Sequence, residues 1–172
     1  ELESALIIDN SYSGNKNSIW NKCVVAFGDY MTTSDVKDCR DLFVDCNSIK
    51  RIPFEINCKE GASISFARTF KNCTYLEEIP KINNAKPNTL SSVFSGCYSL
   101  RTFPEDFNNW FDWSYTSLSN DTMFYNCASL RSIPLDFLNH GDSSMGYYYL
   151  YFYNGFYGCS SLDELTNLPI AF

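Results

Sequence analysis

The 172-residue chain is long enough for one structural domain with a sizeable core, and its 45% hydrophobic content excludes a disordered segment. A net charge of −7 and a pI near 4.6 argue against a nucleic-acid partner, which needs a basic face, and disfavour an anionic membrane surface. No apolar run approaches the ~18 residues needed to span a bilayer, so no membrane insertion is expected in this segment.

Residues 1–41 read as an N-terminal cap or a degenerate repeat that shields the open end of a repeat core. The chain begins at Glu1 without the basic and apolar regions of a signal peptide, and reads as a mature or excised piece of something longer.

Residues 42–172 carry about five copies of one pattern, x-Phe-x-x-Cys-x-x-Leu-x-x-Ile-Pro. The copies begin at Leu42, Thr69, Val93, Met123 and Gly155. Their phenylalanines are Phe43, Phe70, Phe94, Phe124 and Phe156, and their cysteines Cys46, Cys73, Cys97, Cys127 and Cys159. An aliphatic column comes next at Ile49, Leu76, Leu100, Leu130 and Leu162, then Ile52, Ile79, Phe103, Ile133 and Leu165. Successive column cysteines lie 27, 24, 30 and 32 residues apart, around the leucine-rich-repeat period of about 20 to 29.

Within each copy the first part fits a helix or one tight turn, as in Ser63–Phe70 and Thr89–Phe94, with Asn88 and Ser34 as candidate N-caps. The last part fits a short strand, as in Ile49–Phe54 and Leu130–Leu135, with proline at the strand end. One such copy cannot bury its own apolar face. The expected fold is therefore an α/β solenoid, a right-handed leucine-rich-repeat superhelix of about five or six coils. A short parallel β-sheet would line one face and helical or irregular segments the other.

Side chains on a concave sheet face would stack from coil to coil. One expected row is Lys50, Glu77, Arg101, Arg131 and Asp163; the next is Arg51, Glu78, Thr102, Ser132 and Glu164. Opposite charges such as Lys50 and Glu77 would help to set the register. The five column cysteines are expected as structural buried thiols, free because parallel neighbours sit slightly too far apart to bond. Cys23, Cys39 and Cys58 lie outside the column, and Cys39 with Cys58 is a candidate pair. No Cys-x-x-Cys occurs and the single histidine, His140, has no partner motif, so neither metal nor cofactor is expected.

Two aromatic clusters interrupt the array, Phe107–Tyr115 and Tyr147–Tyr153. Trp110, Trp113, Tyr115, Tyr147, Tyr149 and Tyr151 are the candidate ligand-binding residues, since exposed aromatics beside Asn and Asp suit sugar rings or a protein hot spot; the alternative is that half of the clustered aromatics line the core and the rest pack between the insertions. Catalytic residues are not expected: His140 sits in a turn-like Asn-His-Gly-Asp, and Asp41, Asp106 and Asp136 look like turn and cap residues. Asn72-Cys73-Thr74 and Asn120-Asp121-Thr122 match the glycosylation acceptor form.

The units, and Met123-Phe124-Tyr125-Asn126-Cys127-Ala128-Ser129-Leu130 in particular, resemble the BspA-like leucine-rich repeats over about Leu42 to Pro169. That resemblance implies a non-enzymatic recognition or adhesion module, bacterial, secreted or at the cell surface, that binds a protein or glycan ligand through its solenoid surface. A monomer is favoured over self-association. The alternative it implies is a structural or receptor-binding component of a larger assembly such as a phage virion.

Overall fold

The computed structural model describes residues 7–8, 32–104, 106–110, 118–119, 121–133, 150–151 and 153–162. Among these residues there is no α-helix, and of the two forms expected for the Phe-x-x-Cys segments it is the tight turn that forms. We number each unit from its column cysteine, so that phenylalanine stands at −3 and the first aliphatic residue at +3.

Alternate amides of each turn point in two directions. In the second unit the N–H groups of Thr69, Lys71 and Cys73 close local bonds to the carbonyls of Phe66, Arg68 and Phe70 at 3.1, 3.1 and 3.0 Å. The amides between them, of Arg68, Phe70 and Asn72, leave the unit and reach Ser91, Val93 and Ser95 of the next at 3.0, 2.9 and 2.7 Å. The same outward bonds come from Asp41, Phe43 and Asp45, from Ser92, Phe94 and Gly96, and from Thr122, Phe124 and Asn126. An α-helix would use every one of these amides internally. Here half of them join one unit to its neighbour.

Two left-handed residues per unit make this path possible. They stand at −5 (Asp41, Arg68, Ser92, Thr122, Asn154) and at −1 (Asp45, Asn72, Gly96, Asn126, Gly158), with φ from 51° to 79°. Asn, Asp and Gly enter this region readily, whereas Arg, Ser and Thr do so at a steric cost. Side-chain bridges to the neighbouring unit accompany the costly ones. The Arg68 guanidinium donates a fork to the Asp41 carboxylate at 2.6 and 2.7 Å, and Ser92 Oγ lies 2.7 Å from Thr122 Oγ1. At −1, Asn72 donates to Asp45 at 2.8 Å. The next unit has glycine there: a Cβ on Gly96 would lie 2.5 Å from Asn72 Oδ1.

The strands are all short and all parallel. β1 (Ile7–Ile8) pairs with β2 (Thr32–Thr33), and β3 (Ile56–Asn57) pairs with β5 (Ile82–Asn83). β4 (Ile64–Ser65), β6 (Pro87–Thr89), β7 (Leu118–Ser119) and β8 (Leu150–Tyr151) form a four-stranded sheet in that order. Asparagine side chains join the two two-stranded sheets to each other and hold the second together. Asn57 Nδ2 donates to the Thr33 carbonyl at 3.1 Å, and Asn83 Nδ2 to Asn57 Oδ1 at 2.9 Å.

These positions correct the expected ones. Ile49–Phe54 and the described part of Leu130–Leu135 are not strands. Only single backbone bonds cross there, from Glu77 N–H to Lys50 and from Arg131 N–H to Arg101, at 3.0 and 2.9 Å. Pro53, Pro80 and Pro104 come next and cannot donate, which ends the pairing. Asn88 lies in β6 and Ser34 in irregular backbone, so neither caps a helix.

The core is a column of rings. Phe43, Phe70, Phe94, Phe124 and Phe156 stack at centroid spacings of 5.5, 5.5, 5.8 and 5.3 Å, with interplanar angles of 15° or less. Phe103 replaces the isoleucine of its column and stands edge-on to Phe94 and Phe124 at 5.1 and 5.4 Å. A 3-10 turn, Phe107–Trp110, adds two more rings, Phe107 to Phe103 at 4.8 Å and Trp110 to Phe107 at 5.5 Å.

The cysteine column has a bonding role. Cys73, Cys97, Cys127 and Cys159 donate Sγ–H to the carbonyls of Phe43, Phe70, Phe94 and Phe124 in the preceding unit, at 3.0 to 3.1 Å. Each of those carbonyls also receives the amide of the cysteine in its own unit. Cys97→Ala leaves the buried Phe70 carbonyl with one donor and is expected to destabilise by about 1–2 kcal/mol. Phe94→Ala opens the ring column and is expected to cost about 3–5 kcal/mol. Urea unfolding of the two variants checks both sizes and their order. Gly96→Ala meets the Asn72 amide at positive φ, and the same assay is expected to show a loss that Asn72→Gly partly restores.

Candidate functional site

On the face formed by the turns, units two, three and four leave an open cavity of about 310 Å³. It is lined by Lys71, Asn72, Ser92, Ser95, Gly96, Tyr98, Thr122, Tyr125 and Asn126. Most of these occupy positions −5, −2 and −1, the left-handed residues and their neighbour. The turn backbone therefore sets the cavity's shape. Gly96 contributes to it by having no side chain where Asn72 and Asn126 have theirs.

The polar groups of the lining are partly committed. Thr122 Oγ1 donates to the Asp121 carbonyl at 2.7 Å, so the proton in the short Ser92–Thr122 contact belongs to Ser92, whose oxygen keeps free lone pairs. Asn72 has spent a donor on Asp45, leaving its Oδ1 beside Gly96. Among the described residues the Asn126 amide and the Ser95 hydroxyl have no partner, although Ser95 is only 7% exposed. Lys71 makes no ion pair among the described residues.

Two tyrosines, Tyr98 and Tyr125, border this polar surface. Tyr98 is 45% exposed at its edge, and Tyr125 stacks on Tyr157 at 5.1 Å and 14°. Tyr157, Tyr153 and Tyr75 are still more exposed. Lining side chains of this kind can bind hydroxyl and amide groups and cover an apolar ring. They include no carboxylate, thiol or imidazole that could transfer a proton near neutral pH.

The residues singled out from sequence fall elsewhere. Trp110 is a correction: it is 8% exposed and packs edge-on to Phe107, so its ring belongs to the core. The wide Phe103 draws the start of that aromatic segment inward. Tyr151 lies in β8; Trp113, Tyr115, Tyr147, Tyr149, His140, Cys23, Asp163 and Glu164 lie outside the described residues. Lys50, Arg51, Glu77, Glu78, Arg101, Thr102, Arg131 and Ser132 are all exposed and recur in register, but on irregular backbone and not on a sheet. Lys50 reaches Glu77 at 3.8 Å, an exposed pair that contributes little.

Cys46, Cys73, Cys97 and Cys127 are buried free thiols and Cys159 is half-buried. Burial pushes the Cys73, Cys97 and Cys127 thiols well above their ordinary range, and Cys159 is raised for the same reason. Cys39 is raised first by burial and then by its hydrogen bond with Cys58, also a buried free thiol.

The cavity residues do not stand out in the sequence, because each unit supplies only a few and they touch only after the units pack. The signal is the −1 column, Asp45, Asn72, Gly96, Asn126 and Gly158, which holds only residue types that tolerate positive φ. A scan against protein-family models and searches of curated proteins and of solved structures found no match.

A thiol whose pKa is raised by folding supports the fold fully below its unfolded value of about 8.5 and progressively less as pH rises beyond it. Unfolding midpoints are therefore expected to be flat up to about pH 8 and to fall above about pH 9. Cys97→Ala is expected to flatten that decline. A thiol reagent at neutral pH is expected to label Cys159 before Cys73, Cys97 or Cys127, as peptide mapping would read.

Proposed function

We propose that the chain is part of a leucine-rich-repeat solenoid similar to the BspA-like proteins and that it acts as a non-enzymatic recognition module. In this reading it works at a bacterial cell surface or in secreted form and binds a protein or glycan ligand through the face made by its turns. No helix among the described residues is long and apolar enough to cross a membrane.

The observation that carries this reading is the pairing of a rigid backbone with unspent polar groups. Three backbone bonds per unit hold the turn face, and on it Ser95 and Asn126 remain without partners among the described residues, beside exposed tyrosines. Tyrosine offers a large amphipathic contact at small entropic cost, and recognition surfaces are enriched in it. A pre-ordered surface loses little freedom on binding.

The test uses the whole chain over three immobilised probes: denatured collagen, the neutral polysaccharide mannan and the acidic polysaccharide heparin. Binding to at least one is expected, weakened about tenfold by Tyr98→Ala, a loss typical of an interface anchor. Lys50→Gln, in the separate row of exposed side chains, is expected to leave it unchanged. Binding that is lost with Lys50→Gln but kept with Tyr98→Ala would move the site away from the turn face.

A further inference from the structure

We infer that the cavity on the turn face is a saccharide subsite, with one pyranose ring seated between Tyr98 and Tyr125 over Gly96. The inference rests on the recognition reading above and adds the chemical class of the ligand.

Four features of the cavity agree on this class. Its volume of about 310 Å³ lies at the lower end of the range of about 300–1,000 Å³ that small-ligand sites occupy, enough for a sugar ring. Its free polar groups are neutral and of both kinds. Asn126 offers its Nδ2 as a donor, its Oδ1 being turned toward Gly158 of the fifth unit, Asn72 Oδ1 beside Gly96 offers an acceptor, Ser95 offers a hydroxyl, and Ser92 keeps acceptor lone pairs. Adjacent hydroxyls on a sugar ring, each both donor and acceptor, complement such a set. An apolar side chain would leave all of these groups unsatisfied, at a cost that rises with burial.

Third, the walls are aromatic. Tyr98 and Tyr125 present ring surface to the C–H face of a pyranose, and the stack of Tyr125 on Tyr157 holds one wall in place. Fourth, the Ser95 hydroxyl has no protein partner among the described residues and, on a residue only 7% exposed, opens into the cavity it lines. Lys71 is the one charged group in the lining. A uronic-acid sugar would use it and a neutral sugar would not, so the saccharide chemistry is shared and the lysine tells the two sources apart.

The experiment titrates the whole chain with mannan-derived and hyaluronan-derived oligosaccharides, read by calorimetry and by tyrosine fluorescence. Binding is expected to fall about tenfold in Ser95→Ala and in Asn126→Gly, which retains the left-handed backbone. Unfolding curves establish that each variant is folded. If the bound sugar is acidic, Lys71→Gln is expected to weaken it and added salt to do the same; if neutral, neither changes it. Failure of every oligosaccharide to bind at millimolar concentration overturns the subsite, as does binding indifferent to both variants. Should sugars fail while Tyr98→Ala still weakens binding to collagen, the saccharide inference falls and the recognition reading stands.

Discussion

The fold depends on a shared carbonyl. The backbone oxygen of each column phenylalanine from Phe43 to Phe124 takes two donors, the amide of the cysteine three residues on and the thiol of the cysteine in the next unit. A buried carbonyl with two lone pairs is thereby satisfied inside an apolar core, where water cannot serve it. The thiol is small enough to lie beside the ring column and apolar enough to be buried there, and it still donates weakly. Serine at this place would bring a stronger polar group into the core, and alanine would bring no donor. The same bond aligns the units, because it forms only when phenylalanine and cysteine are in register.

From that register the surface is determined. Alternate amides are committed to the neighbouring unit, so the turns cannot relax into helices, and the residues at −5 and −1 are held left-handed. The side chains at these positions are fixed from beneath and must settle with one another, as Arg68 does with Asp41 and Ser92 with Thr122. Where glycine alternates with asparagine the surface sinks, and the cavity is that depression.

The inward half of this arrangement is legible in the sequence and the outward half is not. The phenylalanine, cysteine and leucine columns announce themselves because burial tolerates few residue types. Phe103 sits in the isoleucine column and its consequence, the burial of Trp110, is invisible until the rings are seen edge-on. The strand positions escape the sequence for a related reason. Ile56–Asn57 and Ile82–Asn83 lie in the stretches between repeats, where the intervals differ in length and no column can be drawn. The left-handed residues at −1 are readable as Asp, Asn and Gly, but those at −5 include Arg68, Ser92 and Thr122, which local preference would never put there. Hydrogen bonding between units, a non-local term, overrides that preference.

Column cysteines fall 24 to 32 residues apart, yet the three outward bonds at −5, −3 and −1 keep the same partners in the intervals of 24, 27, 30 and 32 residues. Contour length is thus decoupled from the spacing of the stacked rings. The extra residues fall between the proline that closes one unit and the strand that follows, while the step from strand to turn stays at three residues (Ser65 to Arg68, Thr89 to Ser92, Ser119 to Thr122, Tyr151 to Asn154), so the stretch before each strand is the natural graft site. A foreign peptide inserted there would be displayed beside a ring column that keeps its spacing of 5.3 to 5.8 Å.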